Sequence, residues 1–155
     1  MIVQAFRIVR QELAATAFSG EGARRYGGRW NPPGYPMVYT ADSIALTTLE
    51  LLVHLPPLVL HRYCYLKLEC AAKLIERVER RQLLSQWYRY ATPRFTRLYG
   101  AQWLREKRSV VLAVPSAVVQ DQINYLLNPE HPDFDQILIS KPKPYRLDRR
   151  LFDES

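Results

Sequence analysis

The sequence predicts a single domain of mixed α/β (α+β) class in which strands outnumber long helices. Three observations carry that expectation. Short β-branched or alternating runs recur at 2–9, 37–40, 62–70, 109–115 and 136–141, whereas helical spacing of apolar residues fills only two longer stretches. The 155 residues suit one domain, and a chain of that size buries roughly 70% of its unfolded surface. No repeat, low-complexity tract or linker-like composition divides the chain.

Each element has a local reason. IVQAFRIV (2–9) is short, apolar and β-branched, and reads as an opening strand carrying Arg7. Residues 16–36 hold all but one of the six glycines, together with Pro32, Pro33 and Pro36, and read as a long turn-rich loop. Loops of this length inside compact domains are uncommon and often functional. After a brief strand at 37–40, Asp42 is the predicted N-cap of a helix through ADSIALTTLELLVHL that Pro56-Pro57 stops. Its predicted buried stripe is Ala45, Leu49, Leu52 and Val53.

Alternation in RYCYLKLEC (62–70) predicts a second long strand. Cys64 and Cys70 then share one of its faces roughly 20 Å apart, beyond disulfide reach, and read as packing residues. Thr92-Pro93 looks like a cap with proline in the first turn, opening a helix to about Lys107. SVVLAVP (109–115) reads as a buried strand and QILISK (136–141) as another. Between them NYLLNPEHPDF is turn-rich, with Asn124, Asn128 and His131 as polar anchors. The closing cluster of Lys141, Lys143, Arg146, Arg149 and Arg150 is broken by Pro142 and Pro144, which suits an edge tail better than a recognition helix.

Composition narrows the function classes. Hydrophobic residues at 48% and charged residues at 24% are ordinary globular values and exclude intrinsic disorder. No apolar run is long enough for a membrane helix and no secretory signal opens the chain, so the expected compartment is the cytoplasm. No CxxC, HExxH or clustered His/Cys spacing suggests a metal site. The net charge of +7 favours a phosphate-bearing ligand, nucleic acid or an acidic protein, or else is a solvated basic surface. A basic nucleic-acid-binding protein is the rival reading. It calls for charges on one helix face or an RNP-like strand, and neither pattern is visible.

Several residues invite chemistry, each beside a blander alternative. GEGARRYGGRWN lacks the third glycine of GxGxxG and the Gly-Lys-Ser/Thr of a P-loop. Within it, Arg29 suits a bidentate phosphate contact while Trp30 buries the loop's base, the alternative being an ordinary salt-bridged Arg. Glu50 lies among leucines in LELLVHL, where partial desolvation would raise its pKa, or it simply reaches water. His54, one turn on, suits the helix C-terminus. Ser116 follows a strand without a GxSxG elbow, so it reads as a hydrogen-bonding serine, not a nucleophile. Tyr39 either stacks on a flat ligand or belongs to the core.

Taken together and in order, Arg7 in the opening strand, GGRWN, VYTAD, LELLVHL, VPSAVV and NYLLNPEHPDF resemble the RES domain family. That family is named for an Arg, a Glu and a Ser, which match Arg29, Glu50 and Ser116 here, and the resemblance runs to the closing YRLDRRLFD. It implies a fold similar to ADP-ribosyltransferases. It also implies a toxin of a bacterial type II toxin–antitoxin pair that depletes NAD+ by cleaving the nicotinamide–ribose bond, as hydrolase or phosphorylase. Some members are assigned ADP-ribosyl transfer to protein. The implied partner is an Xre-like antitoxin with a DUF2384 segment, which occludes the active site in a hetero-oligomer. NAD+ would be a substrate, with inorganic phosphate as co-substrate of a phosphorylase, and no cofactor, metal, membrane or nucleic acid is called for. Carried onto these residues, Glu50 stabilises positive charge on the sugar or activates the nucleophile, and Arg29 and Arg7 hold the pyrophosphate. Tyr39 packs against nicotinamide or its ribose, and Ser116 hydrogen-bonds the nicotinamide end. His54 and Asn128 are outlying candidates.

Overall fold

The computed structural model describes residues 1–54, 61–89 and 94–152. The chain runs β1 (Ile2–Arg10), α1 (Glu21–Tyr26), β2 (Val38–Ala41), α2 (Ile44–His54), β3 (Tyr63–Ala71) and β4 (Ile75–Arg77). It continues through α3 (Arg94–Glu106), β5 (Val111–Pro115), β6 (Ile123–Leu127), β7 (Leu138–Ile139) and β8 (Lys143–Tyr145). All the strands join one sheet of order β4-β5-β6-β2-β1-β3-β7, with β8 also paired to β3. Among the described strands only the β4–β5 pair is parallel. Pro56-Pro57 and Thr92-Pro93, which the sequence offers as a helix stop and a helix start, lie outside the described residues.

Strand register sorts side chains onto two faces. On one, Val3, Ala5 and Val9 of β1 pair with Cys70, Leu68 and Cys64 of β3, and Val38, Val111, Ala113 and Leu127 extend this core. Cys64 and Cys70 are buried free thiols there, as their spacing requires. On the other face Leu112, Val114 and Leu126 pack against Trp30, Met37, and Trp103 and Leu104 of α3. Helix α2 lies against β1 and β2. The two longer helices therefore flank β2, and its Tyr39 and Ala41 occupy the strip of sheet between them.

Helix α2 departs from its sequence reading in two ways. Ser43 is the cap, accepting from the Leu46 N–H at 3.0 Å. Asp42 instead clasps β6, its N–H donating to the Ile123 carbonyl at 3.0 Å and its Oδ2 accepting from the Ile123 N–H at 3.1 Å. The predicted stripe also faces outward: Leu49 is 42% and Val53 55% exposed, whereas Leu46 is fully buried and Thr48 nearly so. The helix is apolar on more than one side, so periodicity alone does not choose its rotation. The choice is made by polar contacts. Glu50, four residues after Leu46, turns inward to bond Ser116, just past β5, and Asn124 of β6, and Thr48 shares a 2.6 Å hydrogen bond with the Tyr145 hydroxyl of β8.

Three further segments differ. The loop at 16–36 contains α1, a six-residue helix entered through Gly20 in the left-handed region (φ 74°) and held by Glu21 pairing with Arg24 and Arg25. All of NYLL, read as turn, lies in β6, a central strand paired with both β5 and β2. Its turn-like look comes from the proline-rich stretch after it, where Pro132–Gln136 is a 3-10 turn. QILISK shrinks to the two-residue β7 because pairing to β3 is limited to Leu138 and Ile139. Lys143–Tyr145 of the basic tail form the edge strand β8, a position in a sheet that tolerates a proline such as Pro144.

Candidate active site

Glu50 is the centre of a buried polar junction. Its Oε1 accepts from the Ser116 hydroxyl at 2.9 Å and its Oε2 from the Asn124 amide at 3.0 Å. Asn124 also donates to the Thr40 carbonyl at 3.1 Å, so β2, β6, α2 and the end of β5 meet at one carboxylate. Ser116 is fully buried, and its oxygen accepts from the Val118 and Val119 N–H groups at 3.1 and 3.2 Å while its proton goes to Glu50. The serine therefore orients the carboxylate. Burial holds the Glu50 pKa above the usual carboxylate range, and the negative charge of Asp42 adds to this. The Asn124 and Ser116 donors oppose the rise by favouring the ionised form.

The second cluster is built by the GGRWN loop. Trp30 is 2% exposed and anchors it in the core, as its sequence position suggests. The Tyr39 hydroxyl donates to Asn31 Oδ1 at 2.6 Å and accepts from the Trp30 N–H at 3.0 Å, which leaves the ring rather than the oxygen for a ligand. Burial pushes the Tyr39 hydroxyl well above its ordinary pKa. Arg29 is half-buried and donates to the Trp87 and Arg89 carbonyls at 2.8 and 2.9 Å. Among the described residues two of its five N–H groups are used in this way, which leaves three for an anion. Burial lowers its pKa, with the Tyr39 hydroxyl opposing.

Register joins the clusters. Tyr39 lies opposite Leu126 and Ala41 opposite Asn124, so Tyr39 and Asn124 are diagonal neighbours on one sheet face. Glu50, held by Asn124, thus stands beside the Tyr39–Arg29 cluster, a carboxylate next to a cationic and aromatic surface.

Other sequence candidates take other places. Arg7 points to the opposite face, in register with Leu66. It closes the divergence between β1 and β2, which pair only at Phe6 opposite Ala41, by donating to the Tyr39 and Ala17 carbonyls, both at 2.8 Å. Burial lowers its pKa to about 10, so it stays cationic at neutral pH. His54 is exposed in the last turn of α2 and bonds none of the Glu50 group. Asn128 lies four residues beyond Asn124, where its side chain receives the Glu130 N–H and donates to the Leu104 carbonyl. Asn124 was legible only as a polar residue in a turn-rich segment, because nothing local marks it as the partner of Glu50. Among the described residues no group of three or more His, Cys, Asp or Glu is gathered for a metal, and no helix is long and apolar enough to cross a membrane.

Two comparisons place this architecture. The toxin of the Mycobacterium tuberculosis MbcT–MbcA toxin–antitoxin complex superposes with a TM-score of 0.71 at 18% identity, covering 94% of this chain and 85% of that one. The chain thus shares the mixed α/β fold of that toxin. The RES domain family model matches residues 4–148. The chain belongs to the RES domain family. Among relatives, a protein named Toxin Res from Yersinia enterocolitica is 34% identical over 148 residues, spanning 94% of this chain and 97% of that one. A Prs ADP-ribosylating toxin from a Sphingobium species is 36% identical over 142 residues, 88% of each. The NAD(+) phosphorylase MbcT of M. tuberculosis shares 60% identity over a 35-residue segment, 22% of this chain and 19% of that one.

Ser116→Ala provides a local test of the junction. It removes a donor that favours ionised Glu50, so the carboxyl pKa rises further and the acid limb of any Glu50-dependent rate moves to higher pH. Loss of the turn bonds to Val118 and Val119 lowers stability by about 1–2 kcal/mol. A pH–rate profile and a denaturant titration of the variant check both, and an unmoved acid limb would detach Ser116 from Glu50.

Proposed function

We propose that the chain is the toxin of a toxin–antitoxin pair and consumes NAD+ by breaking its nicotinamide–ribose bond. The observation that carries this reading is the Glu50 carboxylate, held by Ser116 and Asn124 on the same sheet face as Tyr39 and Arg29. Support comes also from the names of the relatives, two of them toxins and one an NAD(+) phosphorylase.

In the reaction the bonding pair leaves with neutral nicotinamide, and positive charge builds on the ribose. A fixed carboxylate stabilises that charge and accepts a hydrogen bond from a sugar hydroxyl. An oxygen of phosphate then bonds to the sugar carbon, giving ADP-ribose-1″-phosphate, or water does so and loses a proton, giving ADP-ribose. Ser116 and Asn124 act through Glu50 as positioning residues. Arg29 takes the pyrophosphate and the Tyr39 ring lies against the nicotinamide ribose, with Arg7 supporting β2 from behind. NAD+ is the substrate and phosphate the co-substrate of the phosphorylase form. The partner in this reading is an Xre-like antitoxin that covers the site in a hetero-oligomer.

A second reading keeps the site and changes the acceptor to a protein side chain, favoured by the Sphingobium relative's name. The test is NAD+ loss by antitoxin-free protein with and without millimolar phosphate, with products resolved chromatographically and labelled NAD+ followed onto protein bands. Phosphate-dependent nicotinamide release supports the phosphorylase, phosphate-independent ADP-ribose the hydrolase, and label on protein the transferase. No consumption under any condition overturns the proposal. Arg29→Ala is expected to raise the KM for NAD+ about tenfold or more. Because Arg29 also holds the Trp87 and Arg89 carbonyls, a thermal melt accompanies the measurement.

A further inference from the structure

Most arginines whose side-chain contacts are defined sit against carboxylates: Arg24 on Glu21, Arg80 on Asp121, Arg108 on Glu76. Around Tyr39 the pattern changes. Arg7, Arg29 and Arg97 bond only backbone carbonyls among the described residues. Arg7 is committed behind the sheet, whereas Arg29 extends from the GGRWN loop to the Trp87 and Arg89 carbonyls and Arg97 reaches the same loop from α3.

Arg97 lies near the start of α3, and its Nε donates to the Gly28 carbonyl at 3.2 Å. Gly28 is in contact with the Tyr39 hydroxyl, since a Cβ placed there would come within 2.5 Å of it. The Arg97 guanidinium is therefore one peptide away from Arg29, at the same tyrosine, and the charges of both act on the Tyr39 hydroxyl. Both Nη groups of Arg97 are without a partner among the described residues, and the side chain is only half-buried. Two neighbouring cations with free N–H edges and no ion-paired carboxylate among the described residues repel each other unless an anion lies between them.

We propose that Arg97 is a second anion-binding residue of the site, sharing with Arg29 the two negative charges of a dinucleotide's diphosphate. The assignment rests on the NAD+ reading and deepens it. It makes α3 part of the substrate site and distinguishes ligands by charge, since a ligand with no phosphate leaves both guanidinium groups unpaired. The Gly28 bond holds the Nε in place, so the free Nη edge is fixed before a ligand arrives.

The test is kcat/KM for NAD+ in wild type, Arg97→Gln and Arg97→Lys, measured from low to high ionic strength. Arg97→Gln is expected to lose about tenfold or more at low salt, with the deficit shrinking as salt rises because the lost contact is one that ions screen. Arg97→Lys, which keeps the charge but not the fork, recovers part of the loss. A deficit of equal size at every salt concentration, with Lys no better than Gln, would mean that Arg97 only tethers the loop, and the proposal falls. No deficit also overturns it. Wild-type protein that consumes no NAD+ would defeat the NAD+ reading itself and this assignment with it, an outcome separate from an active wild type with unaffected variants.

Discussion

Glu50→Gln is expected to lower NAD+ turnover about a hundredfold or more while leaving the affinity for ADP-ribose within about threefold. The carboxylate acts on charge that develops as the glycosidic bond breaks, so its loss falls on the transition state more than on binding. The neutral amide has one accepting end instead of two, so with its oxygen toward Asn124 its NH2 faces the Ser116 hydroxyl, which loses its acceptor. The variant carries a stability signature besides. Because burial raises the folded pKa of Glu50, its contribution to stability is present below the ordinary carboxylate pKa and is lost as pH rises through the folded value. Glu50→Gln removes that pH-dependent component, so the stability difference between variant and wild type changes with pH over this window. Calorimetric binding, steady-state rates and denaturant titrations at several pH values measure the three effects. An active Glu50→Gln protein would exclude the carboxylate from the chemistry.

Gly100→Ala is expected to destabilise the protein by about 3 kcal/mol, lowering Tm by about 10 °C. The glycine is where α3 crosses the GGRWN loop, and an added Cβ would sit 1.6 Å from the Trp30 carbonyl oxygen and 2.7 Å from its carbon. Neither partner is a flexible side-chain end, since one is helix backbone and the other is loop backbone anchored by a buried indole. The helix and loop have to separate, and Arg29 and Arg97 shift with them. Gly22→Ala is the matched control. It lies in α1 with nothing within 4 Å of an added Cβ, and is expected to be neutral or to stabilise by about 0.5–1 kcal/mol. Thermal melts of the two variants decide the matter. Equal Tm values would show that α3 is not pressed against the loop.

The contrast between β1 and α2 shows how far local pattern reaches. β1 and β3 were legible because a strand that packs one face writes period-two alternation into its own residues. Trp30 as the loop's anchor was legible for a similar reason, since a large indole beside two glycines has few other uses. The rotation of α2 was not, because Leu46, Leu49, Leu52 and Val53 leave apolar residues on several sides. The strand at Ile123–Leu127 was hidden by the prolines just beyond it, and pairing on both sides made it central.

The candidate site divides along the same line. Residue types and their order were enough to single out Arg29, Glu50 and Ser116 and to point to the family. They gave no sign that the Ser116 proton is directed at Glu50, 66 residues away, or that Asn124, 74 residues away, holds the other carboxylate oxygen. Nor did they separate Arg7, in register with the core behind the sheet, from Arg29 in front of it. Propensity, capping and periodicity are properties of neighbours in the chain, and the linear order records them. A hydrogen bond between distant residues depends on strand register and helix rotation, which are settled only when the whole sheet and its two covering helices pack at once.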